Sequence, residues 1–303
     1  MSVDILCAKI KQFQNPSVAG LDPTLAYIPE YIREKNYEKY GKTLQGAAMA
    51  FLEFNKGLID ALCDIVPAVK PQSAYYETLG SWGVWALEQT SAYAKEKGMY
   101  VICDVKRNDI GSTSQAYAQA YLGETEVAGE TYAPFGCDAM TVNGYLGSDG
   151  IDPFLPFCKE GKMIFCLVKT SNPSSGELQD RLIDGVPVYE IMADMVSGWG
   201  KELIGKSGYS EVGAVVGATY PEQQIKLRAA AQNVFFLVPG YGAQGAGAKD
   251  IAGAFRADGS GAIVNSSRAI MCAWQKGDFS QEEFAEAARA EAIRMRGDLQ
   301  NIF

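Results

Sequence analysis

Eight short apolar runs recur along this chain with helix-length segments between them, and that alternation constrains the fold more than any other feature. The runs cover residues 17–21, 65–70, 100–106, 139–143, 163–169, 212–218, 234–238 and 261–265. Most are flanked by Gly, Pro, Asn or Asp, as strand ends are. Val234-Phe235-Phe236-Leu237-Val238 shows no polar alternation, which suits a parallel strand covered on both faces. Between the runs, Ala47, Phe51, Phe54, Leu58 and Leu62 form a stripe at helical spacing. Ser280 and Glu283 make a capping-box pattern ahead of Phe284, Ala288, Ala292 and Met295. Pro221 suits the first turn of the helix after the sixth strand. Strand and helix alternating eight times predict the α/β class and a (β/α)₈ TIM barrel. A doubly wound sheet is the alternative. No linker divides the chain, so one domain is expected over residues 1–303, with excursions at 23–42 and 174–187.

Composition removes several function classes. The net charge of -9, with no basic run, argues against nucleic-acid binding. An anionic small molecule is still allowed if a few Arg or Lys are placed locally. The chain has no histidine, so no Ser-His-Asp or Cys-His arrangement can form. Lysine becomes the leading candidate for a general acid. The seven cysteines are scattered singles, read as structural in a reducing cytoplasm, with Cys103 and Cys166 as small buried residues. No apolar run approaches ~18 residues, so no membrane span is expected, and the first residues lack the pattern of a signal peptide.

The third run delivers an acid, a base and a second acid to one place: Asp104-Val105-Lys106-Arg107-Asn108-Asp109. Side chains alternate along a strand, so Asp104 and Lys106 share a face. Burying such charges is costly even when they are paired, which points to chemistry rather than packing. In a barrel, catalytic residues come from the C-terminal ends of different strands. Those ends carry Asp22, Lys70, Ser171 and Arg268 beside the third-strand cluster. Lys169 is read as structural, and Thr113 alone could be a helix N-cap. Residues 240–245 spell G-x-G-x-x-G, but the next strand ends in Arg268 and not in an acid, against a dinucleotide site. A phosphate cradle formed by the backbone around Gly242 and Gly245, with Arg268 supplying charge, fits a recurrent barrel site.

Taken in order, these segments resemble the orotidine 5′-phosphate decarboxylase family, in its longer bacterial branch (type 2). The D-x-K-x-x-D-I motif stands intact at 104–110, with Gly-Leu-Asp-Pro at 20–23, Val-Lys-Pro-Gln at 69–72 and Thr-Ser-Asn-Pro at 170–173. Pro-Gly-Tyr-Gly-Ala-Gln-Gly at 239–245 and Ser-Ser-Arg-Ala-Ile at 266–270 complete the set. Pro71-Gln72 replaces a glycine-containing turn of the commoner branch, and Ser267-Arg268 a common Gly-Arg. The resemblance implies a cofactor-free, metal-free carboxy-lyase of UMP biosynthesis. Lys70, Asp104, Lys106 and Asp109 would form its charged network, with Lys106 the proton donor. Asp22 and Thr113 would bind ribose, Ser171 the pyrimidine, and Gln244 and Arg268 the phosphate. It also implies a homodimer in which Asp109 and Thr113 enter the neighbouring subunit's site. Rival readings are a metal-dependent sugar-phosphate lyase, a Schiff-base aldolase using Lys70 or Lys106, and a phosphate-binding barrel without catalysis.

Overall fold

The computed structural model describes residues 1–242 and 247–302. Its barrel strands are β1 (Ser17–Leu21), β2 (Ala68–Pro71), β3 (Tyr100–Arg107) and β4 (Ala139–Val142), then β5 (Met163–Lys169), β6 (Val212–Val216), β7 (Phe236–Val238) and β8 (Ala262–Ser266). They pair in sequence order, all parallel, and β1 closes the ring by pairing with β8. This is the (β/α)₈ barrel expected from the alternation, and closure rules out the doubly wound sheet. The eight runs fall on the eight strands, with ends displaced by a few residues. Val234 and Phe235 are buried yet lie before the β7 ladder, because the third residue of that run is the first to pair with β6.

Two apolar layers hold the barrel. Val18, Ala68, Ile102, Phe165, Phe235 and Ile263 pack inside it, and the outward-facing strand residues pack under the helices. The Leu44–Leu62 helix buries Ala47, Phe51, Phe54, Leu58 and Leu62 on one face, as the stripe predicts. Each large side chain fully buried in this way contributes ~1.5–3 kcal/mol. Thr43 caps this helix by accepting from the Gly46 N–H. Pro221 opens the Pro221–Ala230 helix. The Ser280/Glu283 capping box is present ahead of the Phe284–Gln300 helix.

Three features go beyond the periodicity. A helix at Ser2–Phe13 inserts Val3 and Leu6 into the cluster at the bottom of the barrel. Its first turn is held by Glu211, whose Oε2 accepts the Val3 N–H at 3.0 Å. A hairpin, Thr125–Val127 with Glu130–Tyr132, stands between β3 and β4. Finally, Cys103 and Cys137 form a disulfide, which corrects the expectation that all seven cysteines are unpaired singles. They lie 34 residues apart in sequence, and only the adjacency of β3 and β4 brings them together. The two excursions take definite forms. After β1 come a short 3₁₀ turn and a helix at Glu30–Tyr40; after β5 come a 3₁₀ turn at Pro173–Glu177 and a small hairpin. Among the described residues no helix is long and apolar enough to cross a membrane.

Candidate active site

The C-terminal strand ends surround a cavity of about 560 Å³. Asp22, Lys70, Asp104, Lys106, Ser171 and Arg268 all line it. Six residues from five strand ends, dispersed over the sequence, are thereby brought to one place. A larger cavity of about 910 Å³ opens at the opposite end, beside Cys7, Tyr209 and Arg256. It lacks the acid–lysine cluster and lies on the barrel face that carries stability rather than chemistry.

The charged centre is built on two neighbouring strands. Lys70, at the end of β2, reaches Asp104 Oδ2 at 2.6 Å and lies 4.0 Å from Asp22 Oδ1. Lys106 Nζ contacts the other oxygen, Oδ1, also at 2.6 Å. Burial opposes the charge on Asp104, but Lys70 and Lys106 outweigh it and hold the carboxyl well below the usual carboxylate range. Burial likewise opposes the Lys70 charge, and Asp104 followed by Asp22 overcomes it, so the pKa rises above the ordinary lysine value. Asp104 therefore stays ionised between two ammonium groups. The Lys70 side chain is only 4% exposed and that of Lys106 43%, so Lys106 is the one that can meet a ligand. Lys106 also has φ +46°, an uncommon conformation for a residue with a Cβ.

Close packing seats the remaining groups. Gly20 is needed on β1 because a Cβ there would lie 1.9 Å from Ser267 Oγ. Gly217, just after β6, leaves room for the Ser171 backbone, which a Cβ would meet at 2.7 Å. Arg268 begins a one-turn helix directly after β8, exposed at the cavity edge. Gly240 also lines the cavity, and Tyr241 donates to Asp298 at 2.6 Å, tying this segment to the C-terminal helix. Gly242 (φ +76°) forms the turn that follows but does not line the cavity. Gln244 and Gly245 lie outside the described residues.

Asp109 and Thr113 do not join this cavity in their own chain. Asp109 accepts the Ile110 N–H at 2.8 Å, and Thr113 is exposed within the first turn of the Gly111–Leu122 helix rather than capping it. Lys169 is fully buried and pairs with Asp180 at 2.7 Å, with its ammonium over the Tyr220 ring. Sequence reasoning passed over Tyr75, Thr141 and Asn265, which also line the cavity together with Gln72 and Ser267 of the matched segments. The strand-end rule could have found Thr141, near the end of β4, and Asn265, next to the last residue of β8. Their neutral side chains gave no charge signal. No group of three or more Asp, Glu or Cys placed to hold a metal ion occurs among the described residues.

The sequence matches the orotidine 5′-phosphate decarboxylase / HUMPS family over residues 49–277. The chain belongs to this family. Proteins named orotidine 5′-phosphate decarboxylase from Rhodopirellula baltica and Caldicellulosiruptor bescii are similar throughout. The first is 44% identical over 97% of both chains, the second 41% identical over 93% of both. The structure of Leishmania donovani OMP decarboxylase superposes with a TM-score of 0.75 at 29% identity, covering 99% of this chain and 98% of that one. In this member of the decarboxylase family Asp104 and Lys106 stand on β3 and Asp109 lies just beyond it, with Lys70 packed against Asp104 from β2.

Proposed function

We propose that this barrel converts orotidine 5′-phosphate to uridine 5′-monophosphate and carbon dioxide, without a cofactor, and that Lys106 and Asp104 stand at the reacting carbon. The observation that carries the reading is Asp104 held between Lys70 and Lys106 in the wall of the cavity. The bond from C6 to the carboxyl carbon breaks, its electron pair stays on C6, and carbon dioxide leaves. Lys106 then gives a proton to C6 and regains one from solvent. Its ammonium also stabilises the negative charge while that charge develops. Asp104 faces the departing carboxylate.

Repulsion between those carboxylates does not suffice. Two like charges ~4 Å apart at an effective dielectric near 20 repel by about 4 kcal/mol. The hardest reactions need ~20 kcal/mol or more of catalysis. Remote binding energy from the phosphate, through Arg268 and Gln244, organises the site. Asp22 binds the ribose and Ser171 the base. Each site is completed by Asp109 and Thr113 of a second copy. Their position outside their own cavity and the exposed Ile110 beside them support a homodimer. The enzyme acts as a single-domain barrel of UMP biosynthesis in the cytoplasm.

The test is metal-free loss of the orotate ultraviolet absorbance, compared with Lys106→Ala. Turnover that falls by about a thousandfold or more in the variant is expected for a lost general acid. Absorbance loss that survives in Lys106→Ala would remove Lys106 as the proton donor, and absorbance loss that needs an added divalent metal would overturn the cofactor-free reading.

A further inference from the structure

The pairing of β3 with β4 is interrupted where the chemistry sits. Ile102 and Cys103 face Ala139 and Met140, but the next paired residues are Arg107 and Val142. Thus β3 advances by four residues while β4 advances by two. Asp104, Val105 and Lys106 are set out of the ladder as a bulge, the feature that re-aims side chains beside active sites. A bulge leaves backbone N–H groups without their ladder partners, and buried ones must find another acceptor.

One side chain supplies it. Thr141 is fully buried, and its Oγ1 accepts the N–H groups of Val105 and Lys106, each at 2.9 Å. The same hydroxyl donates to Asp104 Oδ1 at 2.9 Å, the oxygen that Lys106 Nζ contacts at 2.6 Å. A threonine hydroxyl has one proton to give and two lone pairs. All three are used on one three-residue bulge.

We propose that Thr141 is the positioning residue of the decarboxylation site, fixing the left-handed Lys106 backbone and the Asp104 carboxylate in one register. It acts through those two groups, and the proposal rests on the function given above. Valine keeps the branched shape but leaves both N–H groups and one carboxylate oxygen without the hydroxyl. Serine restores it.

The experiment compares the parent chain with Thr141→Val, Thr141→Ala and Thr141→Ser, reading kcat, KM, the affinity for uridine 5′-monophosphate and the melting temperature. Misplacement by an ångström costs on the order of a hundredfold, so kcat should fall roughly 30- to 100-fold in Thr141→Val. Product affinity, set mainly by phosphate and ribose contacts, should stay within about threefold, and Thr141→Ser should recover kcat to within about threefold of the parent. A Thr141→Val enzyme with parental kcat, or a serine variant as slow as the valine one, overturns the proposal. Should Thr141→Val fail to fold, the comparison of alanine with serine decides: equal kcat overturns it, and a slow alanine with a fast serine supports it. A parent chain without decarboxylase activity overturns the functional reading and this proposal together, whereas an active parent with an indifferent Thr141 overturns this proposal alone.

Discussion

Lys70 and Asp104 meet across the β2–β3 boundary, Nζ to Oδ2 at 2.6 Å, with both side chains at most 10% exposed. The second Asp104 oxygen belongs to Lys106 and Thr141. One carboxylate thus anchors a buried ammonium on one side and an exposed one on the other.

Replacing Asp104 by Asn removes the charge that both lysines depend on. Breaking a buried pair by neutralising one member costs about 3–5 kcal/mol; with Asp22 still 4.0 Å from Lys70, the loss should lie at the lower end. Urea unfolding at neutral pH should show a reduced midpoint, and turnover should disappear. An unchanged midpoint would mean that Asp22 alone satisfies Lys70.

Arg268→Ala tests the use of remote binding energy. Charge-assisted hydrogen bonds are worth about 1.5–3 kcal/mol each and an arginine fork makes two to a phosphate, so kcat/KM should drop at least a hundredfold although no reacting atom is touched. Steady-state kinetics on the variant check this. A kcat/KM equal to that of the parent removes Arg268 from phosphate binding.

A site shared between two copies, as proposed above, predicts complementation. Lys106→Ala and Asp109→Ala should each be nearly inactive. In a random mixture, half the dimers are mixed and each keeps one intact site, so about a quarter of parental activity should return. Mixing by refolding or co-expression followed by the absorbance assay measures it. No recovery, with mixed dimers shown to form, places Asp109 in its own chain's site.

Glu211 predicts a stability effect at the other end of the barrel. Burial pushes its carboxyl up to about 7, against the lowering effect of the Val3 N–H. A carboxyl whose pKa is higher in the folded protein is stabilising below its unfolded value near 4.3, and that contribution is lost as pH rises through about 7. Melting temperature should therefore fall between about pH 5 and pH 8, and Glu211→Gln should flatten the curve and raise its alkaline end. A parent and a variant with the same pH dependence would show that Glu211 is not the titrating group.

The barrel was legible because burial on both faces writes parallel strands as unbroken apolar runs, and because the helices between them show their stripes and caps. The charged half of the site was legible for a related reason: Asp104 and Lys106 are two apart on an apolar strand, an arrangement packing does not call for. The N-terminal helix was missed, since its apolar face is short and gains meaning only against the barrel bottom. The Cys103–Cys137 bond was invisible for the same reason of distance in sequence.

Sequence by itself determined the order of strands, the residue types at their ends and the acid–lysine–acid motif, because each follows from local periodicity and spacing. Only the tertiary structure decided that Lys70 is buried against Asp104 while Lys106 stays open to the cavity. It alone joined Thr141 to the β3 bulge, because a neutral hydroxyl carries no signal until a neighbouring strand leaves two N–H groups for it to accept.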